Sequence, residues 1–439
     1  MHKLRIALIH SHLNDRGGSQ RYVIEIANNL QLLGVKVDVF CYEYNVNACY
    51  PELTSQLKIK KVFTREIENI SDCLKNKNNT FKNILKQFYK ISLLKKIIII
   101  LGIDYLYSLY HTNILAKKVS GLILSNNIKY DLIFAHEEPL SVYASINYKK
   151  INDIPIYWFC YDTIEKWFLE WKNEHRNSSI RKFLLKKFYF KYDKYLINNF
   201  IDKSAVLDNN MLNIYRNLYQ KTPLIRRGGI PQSIFENNRK NFFSKKYNLT
   251  KDKVVIFSLS RFVNYRRVHD ILEMYRQLNV NIKQKVFIYL NAPITDEVYY
   301  KWCKSKYKDV FQCENVEISL EYPKNDTEMY DMYLSSDIFI FPKENQTWGH
   351  APIEAMACGV ATLVSSGCGI SEVVRDINTD LVFEVGNVKE LTNKIEDIVD
   401  NKMYELISQN QRSYVRQNLT WKNVCELYIK DFQQLLGLK

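Results

Sequence analysis

The first forty residues switch between two kinds of apolar pattern, and this switch constrains the fold more than any other feature. Residues 4–10 form an apolar run typical of a buried strand, and a polar loop that ends in Gly17-Gly18 follows. Apolar residues then recur at helical spacing over residues 22–33, and residues 35–40 have the pattern of the next strand. A strand, a helix and a second strand in this order indicate a βαβ unit, and therefore a parallel sheet.

The second half of the chain repeats this alternation. Strand-like runs at residues 254–259 and 338–341 precede a helical segment that carries residues 354–358 and ends at Gly359. Further strands are predicted at residues 132–135, 154–159, 360–364 and 381–383. Because 439 residues are about three times the ~150 of a typical domain, the chain is expected to hold two domains. The predicted fold class is α/β.

The glycine pair Gly228-Gly229 is the predicted boundary between the two parts. The sequence predicts an N-terminal domain over residues 1–228 and a C-terminal domain over residues 229–420. The last helical segment, residues 421–439, has no strand after it, and we expect it to pack back across the domains.

Charge and cysteine usage restrict the partners and the compartment. Basic residues exceed acidic residues by 62 − 47 = +15, which favours an anionic partner such as a phosphorylated ligand or a membrane surface. Nucleic acid is not expected, because no recognition motif occurs and the basic residues are spread over the chain. No C-x-x-C pair and no signal peptide occur in the sequence, so we expect reduced thiols and a cytoplasmic location.

Two basic, aromatic-rich stretches, residues 75–118 and 181–196, are predicted to be helical insertions in the N-terminal domain. They have two interpretations. Their apolar faces fill the domain while the lysines are solvated, or the lysines and aromatic rings dock on an anionic membrane surface. The second interpretation implies a peripheral location on the inner face of the membrane.

Glycines and arginines stand where a phosphate group would bind in a parallel sheet. Gly17-Gly18 lies between the first strand and the first helix, where backbone N–H groups reach a phosphate, although a glycine pair there is as often a simple turn. Arg261 follows the strand of residues 254–260, and Arg266 and Arg267 come shortly after. Two guanidinium groups at this edge can bind a diphosphate, and the alternative is a solvated basic turn.

The most specific stretch runs from residue 341 to residue 359. A buried strand leads into a polar loop and then into a helix that is expected to carry Glu354 in its first turn. This carboxylate can accept hydrogen bonds from two ribose hydroxyls, or it can simply complement the helix dipole.

Taken together, these segments resemble the family 4 glycosyltransferases, which are retaining enzymes of the GT-B architecture. The resemblance rests on the Gly17-Gly18 loop, Gly228-Gly229-Ile230, the segment from Ser260 to Val268, and the segment from Trp348 to Gly359, in the order in which that family has them. It implies two Rossmann-like doubly wound domains that face each other across a cleft.

The resemblance also assigns roles to individual residues. Arg261 matches the diphosphate-binding arginine, and either Arg266 or Arg267 takes the place of a lysine. Glu354 matches the second glutamate of an E-x7-E motif, which binds the donor ribose, and Gln346 stands where the first glutamate contacts the donor sugar. The loop residues expected at the donor are Trp348, Gly349, His350, Ala351 and Pro352.

Two departures from the family concern polar groups of its active site. Gln346 can form hydrogen bonds but cannot act as an anion, and Glu344 would replace the missing carboxylate only if the loop were remodelled. Tyr161 or Asp162 stands where the family often has a histidine. His136 matches a different histidine of the family, and it is the candidate on the acceptor side, against the alternative of a packed structural histidine.

These features predict a glycosyltransferase that moves a hexose from a nucleoside diphosphate sugar, GDP-mannose or a UDP-hexose, to a hydroxyl of a glycan or lipid-linked glycan. The proposed catalytic residues are Arg261, Arg267, Gln346 and His136. No D-x-D occurs, so we expect no metal and no cofactor besides the donor. The alternative is a catalytically impaired homologue that binds nucleotide sugars. A sugar-nucleotide epimerase also stays open.

Overall fold

The computed structural model describes residues 4–64, 103–137, 139–163 and 179–438. The chain divides into two compact units. The first unit comprises residues 1–207, 211–226 and 425–439, and the second comprises residues 208–210 and 227–424. The main division therefore falls between Arg226 and Arg227, two residues before the predicted boundary.

The first unit is built on one parallel sheet of eight strands among the described residues. Its strands are β1 (Arg5–Ile9), β2 (His12–Leu13), β3 (Lys36–Tyr44), β4 (Ile59–Thr64), β5 (Leu132–His136), β6 (Ile156–Cys160), β7 (Lys203–Val206) and β8 (Leu224–Ile225). The spatial order is β2-β3-β1-β5-β6-β7-β8, with β4 paired to β3. The strands β1, β5 and β6 are almost wholly buried, which is why their sequences are continuous apolar runs rather than alternating ones.

Helices cover this sheet, and the final helix of the chain is one of them. The helices of the first unit are Gly18–Leu32, Pro51–Thr54, Ile103–Ser125, Leu140–Asn152, Ser179–Leu184, Phe190–Phe200 and most of Asn209–Tyr219. The last helix, Trp421–Leu435, belongs to this unit from Cys425 onward. Its Asp431 accepts hydrogen bonds from Arg226 Nε at 2.7 Å and from the Tyr157 hydroxyl at 2.8 Å, so a buried carboxylate fastens the helix to the unit.

The two basic stretches are described in part. Residues 181–196 fall in the helix Ser179–Leu184, a π-helical turn Leu185–Tyr189 and the helix Phe190–Phe200. Of the other stretch, residues 75–102 lie outside the described part, and the remainder belongs to the helix Ile103–Ser125. None of the helices that the structure describes combines the length and the apolar character needed to cross a membrane.

The second unit has a six-stranded parallel sheet. Its strands are β9 (Val254–Leu259), β10 (Val286–Asn291), β11 (Val316–Ser319), β12 (Ile338–Phe341), β13 (Ala361–Ser365) and β14 (Val382–Phe383). The spatial order is β11-β10-β9-β12-β13-β14. The chain therefore moves to one side from β9 and to the other side from β12, which makes the gap between these two strands the topological switch point.

Most helices of the second unit connect these strands, and the last two follow the final strand β14. They are Phe242–Tyr247, Val268–Gln277, Val280–Lys285, Glu297–Lys306, Lys308–Phe311, Asp326–Leu334, His350–Ala357, Ser371–Ile377, Val388–Asp400 and Tyr404–Asn418. The two parallel sheets confirm the predicted α/β class with two Rossmann-like, doubly wound parts. The eight cysteines within the described residues are free, with no disulfide among them.

Candidate functional site

The switch point of the second sheet is where a ligand of such a fold is expected, because loops on both sides diverge there and leave a crevice. Strands β9 and β12 pair directly, with Ile256 opposite Ile338. Two residues beyond the end of β9 lies Arg261, and two residues beyond the end of β12 lies Lys343. The parallel pairing places these two cations at the same edge of the sheet.

Lys343 is a buried basic residue, and the sequence reasoning missed it. Its side chain lies against the Phe341 ring, with Nζ 4.0 Å from the ring centroid, and the residue is only 6% exposed. Burial lowers the pKa of Lys343 well below its ordinary value, and the positive charges of Arg266 and Arg261 lower it further. Burial likewise lowers the pKa of Arg266, and Arg261 contributes in the same direction.

Gln346 is the neutral partner of this cluster. Arg266 Nη1 donates a hydrogen bond to Gln346 Oε1 at 2.7 Å, whereas the buried Nε of Arg266 has no hydrogen-bond partner. Both backbone polar groups of Gln346 are hydrogen-bonded. Its N–H donates to Gly367 O at 3.1 Å, and its carbonyl accepts from Gly369 N at 2.8 Å. A Cβ at Gly369 would lie 1.8 Å from Thr347 O, so only glycine permits this approach.

The structure separates the two neighbouring arginines that the sequence left as alternatives. Arg267 has a φ of 52°, in the left-handed region, directly before the helix Val268–Gln277. Its guanidinium donates to the buried Asp270 carboxylate at 2.7 and 3.0 Å and lies 3.4 Å from Glu344 Oε2. Arg267 is therefore paired with carboxylates, whereas Arg266 bonds to the neutral Gln346 and belongs to the cluster with Arg261 and Lys343. The direct role predicted for Arg267 stays a prediction.

Glu354 lies farther along its helix than the sequence predicted. The helix His350–Ala357 begins at His350, so Glu354 is its fifth residue and lies outside the first turn. The prediction of a first-turn carboxylate was wrong, because the loop before the helix continues through Gly349, which has a φ of 145°. Glu354 is 6% exposed, and the Tyr333 hydroxyl donates to its Oε2 at 3.2 Å. The first turn instead holds Ala351 and Pro352.

The glycine pair Gly228-Gly229 packs against the loop that precedes this helix. A Cβ at Gly228 would lie 2.7 Å from Trp348 Nε1 and 2.9 Å from His350 Cε1, and one at Gly229 would lie 2.7 Å from the backbone N of Trp421. The structure thus brings together two segments that are more than a hundred residues apart in the sequence. The close approach explains why glycines occupy both positions.

In the first unit, Gly17 precedes the helix and Gly18 begins it. The Gly17 carbonyl accepts from Arg21 N at 3.0 Å and from the Tyr50 hydroxyl at 3.3 Å. A Cβ at Gly17 would meet the flexible Gln20 side chain, and one at Gly18 would meet nothing within 4 Å. The binding role predicted for both glycines stays a prediction, and steric fit alone does not require a glycine at position 18.

His136 is enclosed by aromatic rings. It is fully buried at the end of β5 and stacks on Phe159, with 4.9 Å between ring centroids and 11° between planes. Tyr161 packs edge-on against the His136 ring at 5.0 Å. Neither ring nitrogen of His136 has a hydrogen-bond partner among the described residues, and burial lowers its pKa well below the ordinary value. His136 is thus a neutral ring, and its acceptor-side role stays a prediction.

Glu137, the next residue, is a candidate that the sequence reasoning missed. It follows β5 at the switch point of the first sheet, between β1 and β5, and has a φ of 74°. Such a conformation strains a residue with a Cβ, and strained residues concentrate at functional sites. Its neighbour Glu138 lies outside the described residues, and no pattern in the sequence distinguishes one glutamate from the other.

Glu137 and His10 form a pair that can share a proton. Glu137 Oε2 lies 3.3 Å from His10 Nε2. Burial raises the pKa of Glu137 to about 7 and lowers the pKa of His10 to about 4. His10 Nδ1 lies 3.3 Å from the carbonyl oxygen of His136, to which a neutral imidazole donates. This leaves the lone pair of Nε2 close to Glu137 Oε2, although Nε2 has no hydrogen-bond partner among the described residues. A carboxyl with a pKa near 7 at this place is suited to proton transfer at neutral pH.

The chain is similar to known glycosyltransferases, and one family model matches it within the second unit. Residues 239–417 match the family model described as glycosyl transferases group 1. The capsular polysaccharide biosynthesis glycosyltransferase CapM of Staphylococcus aureus is 23% identical over 46% of this chain and 52% of its own length. The serotype-specific mannosyltransferase WbdA of Escherichia coli is 28% identical over 25% of this chain and 13% of its own length. The chain spans about half the length of CapM and of two further curated relatives that it matches.

A solved structure with a similar fold covers both units. The structure of Anabaena Alr3699/HepE in complex with UDP and glucose has a TM-score of 0.67 and 13% sequence identity, and the match covers 98% of this chain and 100% of the other. At this identity the likeness shows a shared fold alone.

The titration of Glu137 predicts a pH-dependent stability of the first unit. A carboxyl whose pKa rises from 4.5 to about 7 on folding binds more protons in the folded state across that window, so its contribution to stability falls as the pH rises. The variant Glu137→Gln removes this contribution. We expect its melting temperature, relative to wild type, to increase between pH 5 and pH 8 in thermal unfolding.

The exposed Glu52 provides the control for this measurement, because Glu52→Gln removes a carboxylate whose side chain is 45% exposed. Its melting temperature relative to wild type is expected to stay constant over the same range. A difference between Glu137→Gln and wild type that does not change with pH would show that Glu137 titrates normally.

Proposed function

We propose, from the premise that residues 239–417 belong to the glycosyl transferases group 1 family, that this chain is a hexosyltransferase that uses a nucleoside diphosphate sugar. The donor is GDP-mannose or a UDP-hexose, and the acceptor is a hydroxyl of a glycan or lipid-linked glycan. The observation that carries the proposal is the cluster of Arg261, Arg266 and Lys343 at the switch point of the second sheet.

The chemistry of this cluster suits the departure of a diphosphate. When the bond between the sugar and the diphosphate breaks, negative charge develops on the phosphate oxygen that leaves. Cations fixed in advance in a water-poor site stabilise such charge more than they stabilise the bound substrate. Arg261 and Arg266 supply guanidinium groups, whose planar geometry suits phosphate oxygens, and the folded loops already hold Arg266 against Gln346.

The neighbouring residues suit the rest of a nucleotide sugar. We propose that the buried Glu354 accepts hydrogen bonds from the ribose and that the Tyr333 hydroxyl holds this carboxylate in place. Gln346 would orient the sugar by hydrogen bonds, as its amide has both donors and acceptors. The two donor classes are supported by relatives: WbdA is described as a mannosyltransferase, and HepE was solved with UDP and glucose.

The reaction also has to move a proton from the acceptor hydroxyl. The departing phosphate is the base available for this step at the proposed donor site. Retention of configuration at the sugar is proposed from the family resemblance alone. We further propose that arginines and lysine replace a metal ion as the counter-charge of the diphosphate, and that no other cofactor takes part.

Nucleotide titration tests the donor site. We expect GDP or UDP to bind the purified chain in EDTA, as measured by calorimetry, with affinity lost by about 10- to 100-fold in Arg261→Ala, since a charge-assisted contact is removed. Arg276→Ala is the matched control, because Arg276 pairs with the exposed Asp309. Binding by wild type that requires a divalent cation, or equal binding by both variants, would contradict the proposed site.

A binding homologue without catalysis is the second candidate, and Gln346 favours it. An amide in place of a carboxylate cannot stabilise positive charge on the sugar ring, and here the amide oxygen is already bonded to Arg266. The same preparation separates the candidates when it is incubated with a matching nucleotide sugar and a mixture of glycan acceptors. Sugar transfer or sugar release supports the enzyme, and nucleotide binding without either supports the homologue.

We propose that this chain lies peripherally on the inner face of the membrane. Aromatic rings are exposed beside lysines in the basic stretch: Phe183 is 56% exposed, Tyr195 is 56% exposed, and Lys187 Nζ lies 5.1 Å from the centroid of the Phe183 ring. An anionic surface would attract the lysines, and the rings would enter the interface.

Co-sedimentation with vesicles tests this surface. We expect the chain to bind vesicles that contain anionic lipid more strongly than neutral vesicles at low salt. The double variant Lys187→Glu and Lys191→Glu should weaken that binding by about tenfold or more, since each lysine near the surface contributes about 1 kcal/mol. Lys285→Glu in the second unit should bind as wild type does. Equal sedimentation with both vesicle types would remove the membrane from the proposal.

A further inference from the structure

Lys343 has no charged partner in the described part of the protein, although burial makes its charge costly. Among these residues it is the one lysine in the buried class. A buried ammonium is tolerated when a counter-charge or a hydrogen bond compensates it. The Lys343 side chain lies instead against the Phe341 ring, and the positive charges of Arg261 and Arg266 lower its pKa further.

The other groups around Lys343 do not supply a negative charge. The Cys368 thiol and the Ser365 hydroxyl both donate to the Lys343 backbone carbonyl, not to its ammonium. Burial raises the pKa of Cys368 to about 11, so this thiol is neutral at physiological pH. The ring of Phe341 attracts the ammonium through its π face, which compensates part of the burial. An anionic ligand would supply the counter-charge that the described residues do not.

The location of Lys343 indicates which part of a nucleotide sugar it would meet. The backbone of Lys343 and the backbone of Gln346, the residue proposed to orient the sugar, bond to the same loop at residues 367–369. Arg266 in turn donates to the Gln346 side chain. Glu354, the residue proposed for the ribose, lies eight positions after Gln346, inside the following helix. With Gln346 at the sugar and Glu354 at the ribose, as proposed, Lys343 would lie near the sugar end of the donor. The phosphate at that end is the terminal phosphate of the nucleoside diphosphate.

We propose that Lys343 binds the terminal phosphate of the nucleoside diphosphate and completes a three-cation site with Arg261 and Arg266. This assignment rests on the proposed function, since it takes the site to be one for a nucleoside diphosphate. It makes Lys343 the residue by which the site distinguishes a diphosphate from a monophosphate. The buried amine meets its counter-ion only when the second phosphate is present.

Calorimetry with a diphosphate and the matching monophosphate, UDP with UMP and GDP with GMP, tests the proposal on the full chain. In Lys343→Met the affinity for the diphosphate should fall by about 10- to 100-fold, because a charge-assisted contact is lost. The affinity for the monophosphate should change by less than about threefold. The matched control is Lys285→Met, which removes the same charge from an exposed pair with Asp400.

Three outcomes overturn the inference. If Lys343→Met and wild type bind the diphosphate equally well, Lys343 does not bind the terminal phosphate, and the proposed function is unaffected. An equal loss for diphosphate and monophosphate assigns Lys343 a general structural role. Absence of nucleotide binding in wild type overturns both the inference and the proposed function. Melting curves check that the variant is folded, and Lys343→Ser replaces it if Lys343→Met does not fold.

Discussion

The placement of three basic residues at one edge of the second sheet is the constraint on which the rest of this account depends. Arg261, Arg266 and Lys343 are brought together by the pairing of β9 with β12, two strands whose apolar side chains hold them in place. Gln346 bonds to Arg266 without cancelling its charge. A glutamate at position 346 would neutralise this guanidinium, so the departure from the family pattern leaves more positive charge for a ligand.

The sequence predicted the frame of this site well and its side chains only in part. Strands β9 and β12 have the predicted bounds, because buried parallel strands are continuous apolar runs that a sequence displays directly. Lys343 escaped notice, since a lysine followed by glutamate and asparagine has the pattern of a solvated loop. It packs against the loop around Gly367 and Gly369, more than twenty residues later in the sequence, where Ser365 and Cys368 donate to its carbonyl.

Burial also changes which residue of the first unit is the better candidate for proton transfer. A histidine is the natural choice from sequence, because its ordinary pKa is close to neutral. Burial, however, lowers the pKa of His136 and of His10, and it raises the pKa of the partly exposed Glu137 to about 7. The group suited to proton transfer at neutral pH is then the carboxyl. Such a reversal depends on packing that the sequence does not display.

A crystal structure of the chain with the nucleoside diphosphate that binds, grown in the presence of a chelator, tests the central claim most directly. The account predicts diphosphate oxygens within hydrogen-bond distance of Arg261, Arg266 and Lys343 at the edge where β9 and β12 end, with the terminal phosphate on Lys343. A diphosphate bound at another place in the second unit, or bound at this edge with the Lys343 ammonium turned away from it, would contradict the account.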